Sequence, residues 1–181
     1  MKLDPHNPKL ENEELMRRAR RIKLVLMDCD GVLTDGRLWL TADGEEQKAF
    51  HVRDGQGIVL LHKAGLKTGI ISGRQSTALE RRARELQVSI LYQPAADKVA
   101  ALNEILSQAS VAAVECAFIG DDLADISVMQ QVGLAVAVAD AVNETKQAAH
   151  FTTKLNGGCG AVREVCEMIL KAKGLWGDVT Q

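Results

Sequence analysis

The sequence predicts an α/β fold of the doubly wound, Rossmann-like kind: a parallel sheet covered by helices on both faces, with a projecting β-hairpin and no separate cap domain. Three observations lead there. Short apolar runs bounded by Gly and polar residues recur at 22–27, 67–71, 89–91, 115–119 and 134–138. Continuous apolar runs suit strands buried on both faces. Between them lie segments of helical period at 57–64, 76–86, 98–108, 123–132 and 160–173, and strands alternating with helices indicate parallel βαβ units. No insertion longer than the hairpin separates the runs.

Taken in order, Asn7-Pro8 ahead of LENEELMRRARR reads as a capped helix start with Pro in its first turn. The basic run 17–23 follows acidic residues and is short, so it reads as a solvated helix end rather than a nucleic-acid arm. The run IKLVLM then stops at Asp28. The segment 36–52, with strand-like halves about Ala42-Asp43-Gly44, carries a hairpin signal. The remaining strands and helices alternate to a Gly-rich tail and final helix at about 156–174. The whole of 1–181 reads as one domain, which is an ordinary domain length.

Composition sets limits. Apolar residues are 46% and charged residues 25% of 181, a globular balance, and with 3% aromatics the core must be Leu, Val, Ile and Ala. Lys+Arg 22 against Asp+Glu 24 leaves −2, which favours neither nucleic acid nor an anionic membrane. No apolar stretch is long enough to span a bilayer. The first twenty residues contain no signal-like apolar segment, and Cys29, Cys116, Cys159 and Cys166 show no metal or disulfide spacing. A cytoplasmic protein with reduced thiols is expected.

In an open parallel sheet, ligands sit beyond the carboxyl ends of the strands. Asp28 and Asp30 follow the first run, Ser72 and Arg74 the second, Asp121 and Asp122 the fourth, and Lys98 opens the helix after the third. Each alone has an ordinary explanation: Asx turns for the aspartates, a capping hydroxyl for Ser72, a surface lysine for Lys98. Their coincidence at one rim points to a site. Converging carboxylates are hard oxygen donors that suit Mg²⁺. With a lysine, they can balance a phosphate dianion. One carboxylate can attack phosphorus, and a second, two residues on, can protonate the leaving alcohol and then activate water. Ser72, backbone amides after Asp28, and Lys98 would hold the phosphoryl oxygens.

The run Asp28-Cys29-Asp30-Gly31-Val32-Leu33-Thr34 resembles the D-x-D-G-V-x-T signature of the haloacid dehalogenase superfamily of phosphatases. Ile71-Ser72-Gly73-Arg74, Lys98 and Gly120-Asp121-Asp122 look like its other three motifs, in order and at strand ends. GEEQKAFHVRDG, GDDLAD, VGLAVAVADA and GGCGAVREVC resemble the capless sugar-acid phosphatases of that superfamily, over about 22–174. The resemblance implies a Mg²⁺-dependent phosphatase working through an aspartyl-phosphate. Its expected substrate is an octulosonate 8-phosphate used for lipopolysaccharide precursors, with a nonulosonate 9-phosphate as the alternative. It further implies Asp28 as nucleophile and Asp30 as general acid/base. Mg²⁺ would be held by the Asp28 carboxylate, the Asp30 carbonyl and Asp121. Phosphate would be bound by Ser72, Gly73 and Lys98, and the sugar acid by His51, Arg53, Asp54 and Gly55 with Arg74 and Arg82. A homotetramer is implied in which one subunit's hairpin closes its neighbour's site.

Asp122 and Asp125 are expected either to cap a helix or to orient Lys98 and the metal ligand. Cys29 should point into the core, because strand side chains alternate. His62 reads as a packing or surface residue. The tail Gly157-Gly158-Cys159-Gly160 could grip phosphate, enter the last helix flexibly, or cover a neighbour's site, and the last is preferred. The chain departs from the family's pattern at His51 (often Asn), Val59 (often Arg), Pro94 (often Gly) and Cys159 (often basic), which bears on the sugar acid and leaves the chemistry intact. A phospho-acceptor switch is disfavoured because Asp30 would destroy its acyl-phosphate and because a switch's acceptor follows the third strand. A catalytically idle oligomerisation module is disfavoured because every catalytic position is present.

Overall fold

The computed structural model describes residues 8–44 and 46–180. Helix α1 (Pro8–Arg21) leads into β1 (Leu24–Met27), and a hairpin of β2 (Trp39–Leu40) and β3 (Glu46–Gln47) follows before α2 (Val52–Lys63). Then come β4 (Lys67–Ile71), α3 (Thr77–Glu85), β5 (Ile90–Tyr92), α4 (Lys98–Ala109), β6 (Cys116–Gly120), α5 (Leu123–Met129), β7 (Leu134–Ala137), α6 (Asn143–Ala148), β8 (Phe151–Thr152), α7 (Ala161–Ala172) and α8 (Trp176–Thr180). The Asn7 cap expected for α1 lies outside the described residues.

The main sheet is ordered β5-β4-β1-β6-β7-β8, every pair parallel. The chain first builds outward from β1 to β4 and β5. It then crosses back through α4 to place β6 on the other side of β1, at Leu24↔Cys116 through Met27↔Ile119. This reversal opens a crevice at the carboxyl end of β1, where such sheets bind ligands. Helices α1, α2 and α7 pack together in one layer and α4, α5 and α6 in another. Leu24–Met27 and Ala117–Ile119 are fully buried between them, with Phe118 the largest of the enclosed side chains. No described helix is long and apolar enough to cross a membrane.

Three expectations on the elements change. The hairpin pairs only Trp39↔Gln47 and Leu40↔Glu46, and its Asp-Gly sits within a longer connection closed by Gly44 N–H on Thr41 O at 3.0 Å. Helix α2 begins at Val52 rather than 57, because Gly55 and Gly57, which look like loop residues, are contact points. A Cβ on Gly57 would come within 3.2 Å of Arg163 Cα and Cys166 Sγ on α7, so the glycines let two helices approach closely. The sequence pattern also passes over β8, α6 and α8, each of two to six residues. Cys29, Cys116 and Cys166 are buried as expected, and Cys159 is exposed.

Candidate active site

Asp28 follows β1 directly, its N–H continuing the ladder to Ile119 O at 3.0 Å. Its carboxylate lies 3.0 Å from Lys98 Nζ, and Lys98, in the first turn of α4, also donates to Asp125 Oδ1 at 2.8 Å. The other oxygen of Asp125 accepts from the amides of Asp121 at 2.9 Å and Asp122 at 3.3 Å. Asp125 is fully enclosed and both its oxygens are engaged, so it orients Lys98 and the β6–α5 turn. Asp122 caps α5, accepting from Leu123 N–H at 2.7 Å. Of the two expected roles, Asp125 takes the orienting one and Asp122 the cap.

Asp28, Asp121 and Asp125 bring one carboxylate oxygen each within 4.8 Å of the others. Burial, then the neighbouring Asp125 charge, pushes the Asp28 carboxyl up to about 6 against the pull of Lys98. Burial and the charges of Asp28, Asp125 and Asp122 push Asp121 up to about 7. Asp121 Oδ1 is buried without a hydrogen-bond partner. An orphaned oxygen among mutually repelling carboxylates fits a divalent cation with hard oxygen ligands. Gly31 makes the fit possible. It holds φ +90, and a Cβ there would lie 2.1 Å from Asp121 Oδ2.

Of the residues expected to hold phosphate, Ser72 is buried after β4 with its N–H on Tyr92 O at 2.9 Å, and Gly73 has open space where a side chain would be. In the loop after Asp28, the amides of Val32, Leu33 and Thr34 all close on Cys29 O. They are therefore engaged within the loop and are not free phosphate donors, which narrows the expected set.

Asp30 points elsewhere. Its carboxylate meets Lys48 on one oxygen and Arg74 Nε at 3.8 Å on the other. Lys48 and its second partner Glu46, from the hairpin, were not among the residues singled out from sequence. The available signal was their i, i+2 spacing, which puts both on one face of an extended segment.

The expected sugar-acid residues divide into two groups. Arg82 lies over the Phe50 ring at 5.9 Å, pairs with Glu85 at 3.0 Å, and occupies the space a Gly55 side chain would need. His51, Arg53 and Asp54 sit instead beside the tail. Arg53 lines a cavity of about 680 Å³ with Lys154, Cys159 and Arg163. Asp54 corrects its expectation: its buried carboxylate accepts from the amides of Gly160 at 3.2 Å and Arg163 at 2.7 Å, so it caps α7 rather than facing a substrate. The tail is packed within its own chain, which sets aside the flexible entry to the last helix. Gly157 N–H donates to Asp140 at 2.9 Å and Gly158 N–H to Val32 O at 2.9 Å, and a Cβ on Gly157 would lie 1.7 Å from Gly31 O. It is packed against the loop that follows Asp28 in its own chain. His62 packs as expected, bonded to Thr68 at 2.6 Å.

Comparison with known proteins gives a consistent result. Residues 88–165 match the family model of haloacid dehalogenase-like hydrolases. The 3-deoxy-D-manno-octulosonate 8-phosphate phosphatase KdsC of Yersinia pestis is 46% identical over 161 residues, covering 89% of this chain and 86% of that one. The crystal structure of the Yersinia pestis phosphatase superimposes with a TM-score of 0.90 at 45% identity, over 91% of this chain and 89% of that one. The phosphatase of the same name from Moraxella catarrhalis, solved with magnesium ion, phosphate ion and KDO, gives 0.91 at 39% identity, over 93% and 97%.

Proposed function

The chain belongs to the haloacid dehalogenase-like hydrolases, and within them to the 3-deoxy-D-manno-octulosonate 8-phosphate phosphatases; from that membership we propose that it hydrolyses this sugar-acid phosphate, with Mg²⁺, to the free acid and phosphate. The product is a lipopolysaccharide precursor. The observation that carries the reading is the Asp28, Lys98, Asp125, Asp121 constellation at the carboxyl ends of β1 and β6.

Asp28 is the nucleophile. Its carboxylate attacks phosphorus, the P–O bond to the sugar breaks, and Asp30 delivers a proton to the departing oxygen. Asp30 then removes a proton from the water that attacks the aspartyl-phosphate, releasing phosphate and restoring Asp28. Lys98 neutralises charge beside Asp28, and Ser72 and Gly73 hold the phosphoryl oxygens. Asp28, Asp121 and the Asp30 carbonyl hold Mg²⁺, which when bound offsets the charge of carboxylates and phosphate. Arg53, Arg74, Arg82 and His51 are left to meet the sugar acid.

The catalytic unit is the whole described chain, placed in the cytoplasm as a homotetramer. Support for assembly comes from exposed Leu38, Trp39 and Leu40 on the hairpin, with Val52 and Leu123 also exposed. Consecutive large solvent-facing apolar side chains along one hairpin strand suit an interface, so the hairpin covers a neighbour's site.

Phosphate release in Mg²⁺ from octulosonate 8-phosphate, two nonulosonate 9-phosphates and hexose phosphates tests the reading. A hundredfold preference for the octulosonate is expected. Preference for a nonulosonate would move the substrate while keeping the chemistry, and no release with any of them would overturn both.

A further inference from the structure

The second strand of the hairpin turns back into the site. The side chain of Lys48 is only 2% exposed, and its ammonium is held between Asp30 and Glu46. Glu46 also accepts from Arg74 Nη2 at 2.9 Å and from Ser76 Oγ at 3.2 Å. Ser76 is itself the cap of α3, accepting from Leu79 N–H at 3.3 Å. A continuous chain of polar contacts thus runs from the start of α3 through Ser76, Glu46 and Lys48 to Asp30.

Fixing a lysine side chain costs rotamer entropy, and burying its charge costs more still unless it is paired. Two carboxylates meet that requirement here, and they raise the Lys48 ammonium above its usual range although burial alone would lower it. This is unlike an exposed ion pair. Asp30 in turn has a cation at each oxygen, Lys48 from the hairpin and Arg74 from the β4–α3 loop, so its orientation is defined from two sides.

We propose that Lys48 is a positioning residue for Asp30, anchored by Glu46, so that the second hairpin strand of the same chain aims the acid/base carboxylate at the leaving-group oxygen. This rests on the reading of Asp30 as the general acid/base. The hairpin then has two sides: an apolar first strand for the neighbouring subunit and a charged second strand, with Lys48 just after it, for its own chemistry.

The leaving group provides the test. A sugar alkoxide needs a proton to depart, whereas p-nitrophenolate does not. Positioned acid/base groups contribute about 10²–10⁴-fold, so Lys48→Met, which keeps the stem and removes the charge, should slow enzyme phosphorylation by octulosonate 8-phosphate about 10–100-fold. The burst of nitrophenol from p-nitrophenyl phosphate should slow at least tenfold less. Lys48→Arg should recover part of that ratio. Should the methionine variant not fold, Glu46→Gln reads the same ratio, with a smaller shift in the same direction. Equal slowing on both substrates, or a lower melting temperature with no change in ratio, would make Lys48 a structural strut and overturn the proposal. Asp30→Asn is measured alongside. If it too slows both substrates equally, the acid/base assignment fails and takes the proposal with it; if it shows the split while Lys48→Met does not, only the positioning role fails.

Discussion

Raising pH in the presence of a chelator should destabilise this protein, and Mg²⁺ should reverse the loss. Asp121 and Asp28 start from an ordinary value of 3.8 and are pushed up to about 7 and about 6. The folded chain therefore holds these protons more tightly than the unfolded chain. That stabilisation is complete below about pH 4 and disappears as pH rises through 6 and 7. At about 1.4 kcal/mol for each tenfold change in proton affinity, the two groups together would reach about 7 kcal/mol. They share one repulsion and Asp121 is part-exposed, so about 3 kcal/mol is the working figure. For a chain of this length that is a fall of roughly 6–12 °C in melting temperature. Thermal unfolding followed by circular dichroism at pH 5, 6, 7 and 8, in EDTA and in Mg²⁺, measures it. The Mg²⁺ increment should grow steadily across the series, and Asp121→Asn should remove most of the growth. A melting temperature in EDTA that is flat from pH 5 to 8, or a Mg²⁺ increment independent of pH, would refute the argument that uncompensated carboxylates form the cation site.

Gly31→Ala places a methyl 2.1 Å from Asp121 Oδ2 at φ +90; backbone strain of about 1–2 kcal/mol and a displaced ligand should cut turnover at least a hundredfold and weaken Mg²⁺ activation, and near-normal turnover would show that the loop is not held there. Asp54→Ala removes the acceptor for the Gly160 and Arg163 amides at the start of α7 and should lower stability in urea by about 2–4 kcal/mol, with faster hydrogen exchange at the Arg163 amide. Unchanged stability would return Asp54 to the substrate. Trp39→Ser together with Leu40→Ser should reduce the assembly to smaller species in sedimentation, and an intact tetramer would exclude the first hairpin strand as an interface.

The sequence exposes most strongly what is decided locally. The runs before Asp28, Ser72 and Asp121 are largely apolar because β1, β4 and β6 are covered on both faces, and the residues following each emerge at the rim. That coincidence made Asp28, Lys98 and Asp121 legible together. Asp54 was not legible as a cap, because its partners Gly160 and Arg163 lie 106 and 109 residues away. Glu46 and Lys48 look like ordinary charges of a solvated hairpin until Arg74 and Ser76 are brought beside them. The start of α2 was hidden for a related reason: its glycines signal a loop locally, and only Arg82 beside Gly55 and α7 beside Gly57 explain them.

The placement of β1 between β4 and β6 also bears on how the chain is made. Strand β4 follows β1 closely, but the partner on its other side, Cys116–Gly120, is synthesised about ninety residues after Met27. At about 5–20 residues per second the open flank of Leu24–Met27 waits several seconds on the ribosome, a bare apolar edge of the kind that recruits other chains. Nascent fragments ending before residue 116 should therefore be the most adhesive species this gene product passes through, and the ones most in need of a chaperone.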